Sequence, residues 1–241
     1  MTNNKFTVKL ADTQAEIDSA MKLRLQMIAE YDPSKTDVKS DCSEWDKDAY
    51  HLIVKDNDTN EVVAYYRMIT SKHCSEADKF VCEEEFDINS LKAGGEKLCE
   101  FSRAVVQKDY RNGTLLVLLW KFILDFVQKN NCRYLIGDVS FMGTNRETYR
   151  EEISYLVNNF AIDEYDIKSK DTLPPMKLMN ANDYDSAKVK RRLPALLKAY
   201  TAFGGKLSSE TFVDTAFGSV DLFVLLDMNN VNWAYVHRML G

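Results

Sequence analysis

The stretch EFSRAVVQKDYRNGT, Glu100–Thr114, is the most informative part of the chain. Its first half is largely apolar, as in a buried strand, and a short polar turn containing Arg111 and Gly113 follows. Apolar residues then occupy nearly every side of the segment after Thr114, which predicts a helix lying against a sheet. Glycine allows a turn to bring backbone N–H groups together, and a helix N-terminus adds the positive end of its dipole. The pattern fits an anion-binding turn, suited to a phosphate, or an ordinary strand-to-helix connection.

Two charged residues, Glu100 and Arg103, interrupt the apolar strand. A charge inside a strand is costly unless it is paired or has a function. Strand alternation places Glu100 and Ser102 on one face and Arg103 on the other. A β-bulge between them would shift the register and bring both charges towards one cavity. A strand-edge ion pair is the alternative explanation.

The hydrophobic periodicity of the whole chain predicts alternating strands and helices. Predicted strands cover Phe6–Leu10, Tyr50–Lys55, Glu61–Thr70, Lys97–Gln107, Arg133–Phe141 and Ser219–Leu226. Predicted helices cover Gln14–Ala29, Thr114–Asn130, Asn145–Asn159, Pro194–Phe203 and Val231–Leu240. We expect an α/β (α+β) fold with helices on both faces of one sheet. The expected organisation is a single domain, 1–241, with a helical extension from about residue 145.

Composition excludes several classes of protein. With 45% hydrophobic and 28% charged residues, the chain has the balance of a globular protein. A net charge of −6 argues against a general nucleic-acid binder. Five scattered cysteines without a C-x-x-C pair, and few histidines, offer no ligand set for structural zinc and indicate reduced thiols. The start of the chain has no apolar signal-peptide core, and Leu115–Val127 is too short and too charged to span a bilayer, so we expect a cytoplasmic protein.

The order of elements around the central turn resembles the GNAT acyltransferase fold, a mixed and mostly antiparallel sheet. Acetyl-CoA-using members usually carry Arg or Gln, two residues, Gly, one residue, then Gly or Ala. This chain has Arg111, Gly113 and then Leu115, so it keeps only half of that pattern. The departure fits a narrower branch, because Glu100–Arg103 is similar to the E-x-S-R strand of acyl-homoserine lactone synthases. Arg24 is similar to an arginine in the same helix of those enzymes.

A closer resemblance is to the acyl-carrier-protein-dependent N-acyltransferases that make N-acyl amino acids and lyso-ornithine lipid. It runs from Arg24 to Asp227. The similar segments are Asp46–Val54, Val62–Ile69, Phe101–Gly113, Leu115–Trp120, Tyr134–Phe141 and Leu193–Gly204. One departure concerns the acceptor pocket: the family often has Pro-Ala shortly before the aspartate matching Asp214, where this chain has Thr211–Val213.

This resemblance implies transfer of a long acyl group from a phosphopantetheine thioester to the amine of an amino acid such as ornithine or glycine. The donor would be acyl-carrier protein or acyl-CoA, without a metal. Glu100 would be the general base and Arg103 would position it. Implied acceptor-binding residues are Arg24, Asp46, Asp48, Arg67, Ser102 and Ser140. Implied donor-binding residues are Val105, Val106, Arg111, Gly113 and Thr114.

Several of these residues have a plainer interpretation. Asp46 and Asp48 suit an acceptor ammonium, yet exposed loop acids look the same. Arg67 suits a carboxylate clamp or a surface ion pair. His51 suits a general base, although a hydrogen-bonded structural histidine is the more ordinary reading.

One dense basic cluster, which we call the basic cluster, comprises Lys188, Lys190, Arg191, Arg192 and Lys198. Acyl carrier proteins are acidic, so the cluster is a candidate docking site, and solvated loop charge is the alternative. Contact with a membrane would be peripheral at most, through a lipid product.

Three other functions stay open at this point. An acyl-homoserine lactone synthase would need S-adenosylmethionine as acceptor, and the C-terminal similarity from Leu193 onward argues against it. An acetyl-CoA-dependent N-acetyltransferase would ignore acyl carrier protein. A non-enzymatic, acyl-binding relative of the GNAT enzymes would bind thioesters without releasing thiol.

Overall fold

The computed structural model describes residues 5–71, 79–111 and 113–240. These form two compact units. The first unit comprises Met1–Lys79, Cys99–Cys132 and Met239–Gly241, and the second comprises Phe80–Leu98 and Arg133–Arg238. A single domain with a helical extension stays a prediction.

The elements follow the predicted order. The strands are β1 (Phe6–Leu10), β2 (Tyr50–Asp56), β3 (Val62–Thr70), β4 (Phe86–Asp87), β5 (Leu98–Val106), β6 (Tyr134–Met142), β7 (Lys168–Ser169), β8 (Lys206–Leu207), β9 (Phe212–Asp214) and β10 (Ser219–Asp227). The helices are α1 (Gln14–Tyr31), α2 (Asn89–Lys92), α3 (Thr114–Lys129), α4 (Arg150–Phe160), α5 (Ser186–Arg192), α6 (Ala195–Phe203) and α7 (Trp233–Leu240). The predicted mixed α/β fold, with a mostly antiparallel sheet and flanking helices, is confirmed. The elements that sequence patterns missed have seven residues or fewer, too short to show a period.

In the first unit, β1, β2, β3 and β5 pair side by side and antiparallel. Thr13 caps α1 by accepting a hydrogen bond from the backbone N–H of Glu16. The buried side of α1 carries Ala20, Leu23 and Met27, which pack with sheet residues Ile53, Val62 and Tyr65. One face of this sheet is therefore covered by a helix, and polar side chains on that face are removed from water.

A β-bulge lies in β5 as predicted, but at Arg103 and Ala104 and not between Glu100 and Arg103. Arg67 pairs with Ser102 and Tyr65 pairs with Val105, so two residues of β5 lie opposite the single residue between them on β3. The first of the two, Arg103, has a φ of 56°. Because the extra residue is accommodated as a bulge, Ser102 and Val105, which are three residues apart, lie on the same face, where Val105 packs against the core.

Helix α3 begins directly after the turn, as predicted. Gly113 lies at its N-cap with a φ of 87°, a left-handed conformation that strongly favours glycine. Most apolar residues of the helix are buried, Leu119, Trp120 and Ile123 among them. The buried helix fixes the position of its own first turn.

In the second unit, β10 pairs antiparallel with β6 over nine residues, from Ser219 opposite Met142 to Asp227 opposite Tyr134. The other edge of β10 pairs with β9 and β8. Phe86 packs on this sheet against Phe223, with ring centroids 6.0 Å apart. Residues of β6, β9 and β10 that lie opposite one another therefore share a face.

Two further findings concern the described residues as a set. Their four cysteines, Cys42, Cys82, Cys99 and Cys132, are free thiols, while Cys74 lies outside the described ranges. None of their helices has the length and apolar character that crossing a bilayer requires.

Candidate active site

A group of buried and half-buried polar side chains lies in the first unit, and we call it the polar centre: Arg24, Asp41, Ser43, Asp46, His51, Tyr65 and Arg67. Arg24 lies on α1. Its side chain is 1% exposed. Its Nε donates to Asp41 Oδ2 at 2.9 Å, its Nη2 donates to the Asp41 backbone carbonyl at 2.9 Å, and its Nη1 donates to Asp46 Oδ1 at 2.7 Å. Burial by itself disfavours the charged form, but the hydrogen bond to Asp46 and the neighbouring negative charges outweigh it and raise the pKa of Arg24. The guanidinium also lies over the Tyr65 ring, 5.6 Å from its centroid.

Asp46 joins Arg24 to a second buried arginine. Its Oδ1 accepts from Arg24 and, at 3.3 Å, from Nη1 of Arg67. Its Oδ2 accepts from the Ser43 N–H at 2.8 Å. Burial opposes ionisation, but Arg24 and these other donors lower the pKa of Asp46, so it is a carboxylate at neutral pH. The observed partners of Asp46 are thus the protein's own cations, and its predicted contact with an acceptor ammonium stays a prediction, as does that of the exposed Asp48.

Arg67 on β3 is fully buried. Its Nε donates to Ser102 Oγ and its Nη1 to Ser43 Oγ, both at 3.0 Å. Its Nη2 has no hydrogen-bond partner among the described residues. Burial, with a smaller effect of the nearby charge of Arg103, lowers the pKa of Arg67. A buried cation with an unused donor is costly and is suited to an incoming anion.

His51 supports this centre from β2. Its Nε2 lies 3.0 Å from the Asp46 backbone carbonyl, and its Nδ1 lies 2.9 Å from the Tyr65 hydroxyl. A carbonyl only accepts, so Nε2 carries the hydrogen and Nδ1 accepts from Tyr65. Burial lowers the pKa of His51, so the ring is neutral at neutral pH. Both ring nitrogens are engaged, which favours the structural alternative over the general base.

Glu100 lies in β5 opposite Ile69 and is completely buried. Ser102, two residues further, is opposite Arg67, so Glu100, Ser102 and Arg67 share one face of the sheet. Arg103 follows in its left-handed conformation and is exposed. The bulge thus separates a buried carboxylate from an exposed guanidinium. This face offers a carboxylate to take a proton and a guanidinium donor to hold an anion.

The turn before α3 contains the predicted donor residues. Gly113 and Thr114 are exposed, so the first turn of the helix is open to solvent, and Val105 and Val106 are half-buried. Arg111 donates from Nη1 and Nη2 to the two carboxylate oxygens of Glu30, at 2.8 and 3.2 Å.

Arg111 also donates from Nε to the Val106 carbonyl at 2.9 Å. Its side chain thereby ties the turn to the end of α1. Binding of a phosphate by Arg111 stays a prediction.

Ser140, the remaining predicted acceptor residue, lies in the second unit. It is exposed on β6, directly opposite Asp221 of β10. It is hydrogen-bonded to the carboxyl group of Asp221. The sequence analysis did not identify Asp221 as a site residue.

Some side chains of the basic cluster already have partners within the protein. Arg192 forms salt bridges with Glu151 at 2.5 Å and Glu152 at 2.7 Å. Lys198 Nζ donates to the Arg191 backbone carbonyl at 2.8 Å. Lys188 and the side chain of Arg191 are on the exposed side of α5, and Lys188 Nζ lies 3.7 Å from Asp185 Oδ2.

Three residues of the polar centre were not identified from the sequence. Asp41 and Ser43 lie in a polar connection that shows no periodicity and looks like ordinary loop. Tyr65 did carry a signal, because it is two residues from Arg67 and therefore lies on the same face of the strand.

Comparisons with known proteins agree with this architecture. Residues 24–121 match the family model of the GNAT acetyltransferase domain. The L-ornithine N(alpha)-acyltransferase of Rhodobacter capsulatus is 27% identical over 232 residues, covering 92% of this chain and 90% of that protein. A second L-ornithine N(alpha)-acyltransferase, from Rhizobium meliloti, is 27% identical and covers 95% of this chain and 82% of its own length.

Among solved structures, FeeM, an N-acyl amino acid synthase from uncultured soil microbes, aligns with a TM-score of 0.52 at 8% identity, covering 93% of this chain and 92% of that chain. The CoA-dependent acyl-homoserine lactone synthase BjaI aligns with a TM-score of 0.54 at 11% identity, covering 98% of this chain and 87% of that chain. These two likenesses concern the fold. Together with the two ornithine N-acyltransferases, they confirm the resemblance drawn from the sequence. The chain is an N-acyltransferase with the GNAT fold.

Proposed function

We propose that the chain transfers a long-chain acyl group from acyl-carrier protein to the α-amine of an amino acid, with ornithine as the first candidate and glycine as the second. The named activity of the two relatives supports ornithine. The observation that carries the proposal is the unused donor of the buried Arg67, on the same face of the sheet as Glu100. An α-amino acid brings a carboxylate for such a donor and an amine for such a base.

The proposed chemistry is aminolysis of a thioester. Glu100, directly or through a water molecule, takes one proton from the acceptor's ammonium, and the free amine attacks the thioester carbonyl. Backbone N–H groups at the bulge hold the negative charge that develops on the carbonyl oxygen. The C–N bond forms, the C–S bond breaks, and the second nitrogen proton goes to the departing thiolate.

Arginine side chains position the two substrates. The free Nη2 of Arg67 binds the acceptor's carboxylate, and Ser102 keeps Arg67 in place. Arg24 acts through Asp46, which it shares with Arg67. Positioning of Glu100 by Arg103 stays a prediction, because Arg103 lies in the bulge and is exposed. The phosphate of the phosphopantetheine arm binds the open first turn of α3 at Gly113 and Thr114, and Arg111 turns from Glu30 towards it.

The test is a product assay. We expect long-chain acyl-carrier protein and ornithine to give a new N-acyl amino acid, detected by mass, with release of the carrier thiol. Palmitoyl-CoA and acetyl-CoA serve as alternative donors, and the other common amino acids as alternative acceptors. Efficient use of acetyl-CoA alone would replace the proposal with an acetyltransferase. Binding without thiol release, with every amine, would indicate the non-enzymatic alternative.

A charge-reversal variant tests the carrier protein as partner. Lys188 and Arg191 are exposed and one turn apart on α5, while Arg192 is held by two glutamates. We expect Lys188→Glu with Arg191→Glu to lower kcat/KM for acyl-carrier protein about 10-fold at low salt, because docking loses its complementary charge. The defect should shrink as salt rises. Measurement of kcat/KM over a salt series checks this.

The matched control reverses two exposed lysines of the first unit, Lys22→Glu with Lys129→Glu. It changes the net charge equally and should leave kcat/KM within about 2-fold of wild type. A small pantetheine thioester, which needs no docking surface, should serve the Lys188/Arg191 variant as well as the wild type. Equal losses with both donors would show that the basic cluster serves the fold and not docking.

A cytoplasmic location, where acyl-carrier protein is made and thiols stay reduced, completes the proposal. Contact with a membrane would come only through the lipid product.

A further inference from the structure

A group of three carboxylates, Glu85, Asp214 and Asp221, lies entirely within the second unit. One oxygen atom from each lies within 4.8 Å of the others. Asp214 is opposite Ser219 across β9 and β10, and Ser219 is two residues from Asp221. Asp214 and Asp221 therefore share one face of the sheet, and strand pairing places two of the three carboxylates.

Glu85 comes to the same face from a different segment, directly before β4. The next residue, Phe86, packs its ring against Phe223 and Phe212, with centroids 6.0 and 6.4 Å away. Phe212 is directly opposite Asp221, so this ring contact lies beside the carboxylates. Packing of Phe86 on the sheet therefore holds the backbone of Glu85 next to the other two acids.

Asp221 is the buried member of this group, with 3% of its surface exposed. Its Oδ2 accepts from Ser219 Oγ at 2.9 Å. Its Oδ1 is buried and has no hydrogen-bond partner in the part of the chain that the structure describes. A buried carboxylate oxygen without a partner costs the desolvation of that oxygen, so this oxygen favours a ligand from outside the chain.

The charge of Asp221 also lacks compensation from its neighbours. Burial, helped by the negative charge of Asp214, raises the pKa of Asp221 to about 6, although hydrogen bonds from Ser140 and Ser219 act in the opposite direction. A raised carboxyl pKa shows that the surrounding groups do not balance the negative charge. A bound cation would balance it and would also reduce the repulsion between the three acids.

The spacing of the oxygens suits a calcium ion. Oxygens on opposite sides of a calcium ion, each at about 2.4 Å, lie about 4.8 Å apart, whereas around magnesium, at about 2.1 Å, the limit is about 4.2 Å. Oδ1 of Asp214 accepts two backbone N–H groups, from Ala216 and Phe217, each at 2.8 Å, which leaves Oδ2 for an ion. Glu85 and Asp214 are half-buried, so water can supply the remaining ligands of a six- to eight-coordinate ion.

We propose that Glu85, Asp214 and Asp221 bind one calcium ion, which fastens the segment before β4 to the sheet formed by β9 and β10. The ligands are carboxylate oxygens, the donor type that calcium prefers. The ion is structural: it holds two segments of the second unit together and takes no part in acyl transfer. The site is therefore independent of the proposed function.

The experiment uses the full chain after removal of metal with a chelator. Titration calorimetry with calcium chloride should show one ion bound per chain. At a calcium concentration about 10 times the measured Kd, Tm should rise by about 3 °C or more, because the ion binds the folded chain and not the unfolded one. Magnesium chloride should bind about 10-fold or more weakly, because its shorter bonds require the oxygens to move together.

Two variants test the ligands. Asp221→Asn and Glu85→Gln should each raise the Kd for calcium about 10-fold or more, because each removes one of three charged ligands. Circular dichroism checks that both fold, and Glu85→Gln decides the matter if the buried change at Asp221 prevents folding. The matched control, Asp163→Asn, removes one exposed negative charge from the same unit and should keep the wild-type Kd.

Sodium chloride at the same ionic strength separates a site from general screening of a chain with a net charge of −6. An equal rise of Tm with sodium chloride, or no heat of calcium binding, would overturn the proposal. Calcium binding that survives both Asp221→Asn and Glu85→Gln would place the ion elsewhere and would overturn it as well. Tighter binding of magnesium than of calcium would overturn the choice of calcium. None of these readouts needs acyl transfer, so failure of the proposed function would leave them unchanged.

Discussion

The Glu100→Gln enzyme is expected to turn over about 10²-fold or more slowly than the wild type at saturating substrates. Glutamine has nearly the same shape but cannot take a proton from the acceptor's ammonium. The residue is fully buried in β5, so the change leaves the surface untouched. Single-turnover measurement of thiol release gives the rate of the chemical step.

Two comparisons make the result specific. Donor binding by Glu100→Gln should stay within about 2-fold of wild type, which separates a lost base from a damaged pocket. Glu61→Gln, an exposed change directly before β3, should keep full turnover. Wild-type turnover by Glu100→Gln would mean that Glu100 serves the fold and that the base lies elsewhere.

The Asp46→Asn variant is expected to lose about 3–5 kcal/mol of unfolding free energy, because it leaves two buried guanidinium groups without their shared carboxylate. Arg24 and Arg67 are 1% and 0% exposed, so their guanidinium groups have little access to water that could replace Asp46. Urea unfolding followed by circular dichroism measures the loss. The control, Lys206→Met, removes an exposed bridge to Glu164 and should change stability by no more than about 0.5 kcal/mol.

The same carboxylate predicts a pH dependence. The folded-state pKa of Asp46 lies below its ordinary value. The stabilisation that the ionised Asp46 gives to the folded state is therefore fully present above the unfolded-state pKa of about 4, and it is lost as pH falls through the folded-state pKa. The wild type should therefore lose stability on acidification below about pH 4. The difference between wild type and Asp46→Asn should narrow over that window, and a constant difference would contradict the assignment.

Local patterns were enough to predict the elements and the turn. Around Gly113, a pattern typical of a strand, a glycine and a pattern typical of a helix follow one another within a few residues. Each pattern depends only on residues that are neighbours in the sequence. A bulge in β5 was predicted from the parity of Glu100 and Arg103, but the expectation that it brings both charges to one cavity was wrong, because it lies at Arg103 and Ala104 and leaves Arg103 exposed.

The rest could not be predicted, because it depends on which distant segments meet. Asp41 and Ser43 become partners of buried arginines only because their loop folds against α1 and β3. The sequence of the loop does not predict that contact. Asp221 reads as one polar residue in an apolar strand. Its neighbour Glu85 is far away in the chain, and Asp214 belongs to β9, whose three residues are too few to show a period.

The bulge in β5 has a consequence for chain length. If Ala104 were deleted, β5 would pair regularly with β3, and the partners on both sides, Ser102 with Arg67 and Val105 with Tyr65, would stay the same. A strand one residue shorter would thus satisfy the core equally well, without a non-glycine residue in a left-handed conformation, which costs about 1–2 kcal/mol. The core gives no reason to keep that residue. Its retention points to the site, where the kink turns the backbone and the Arg103 side chain out of the regular ladder.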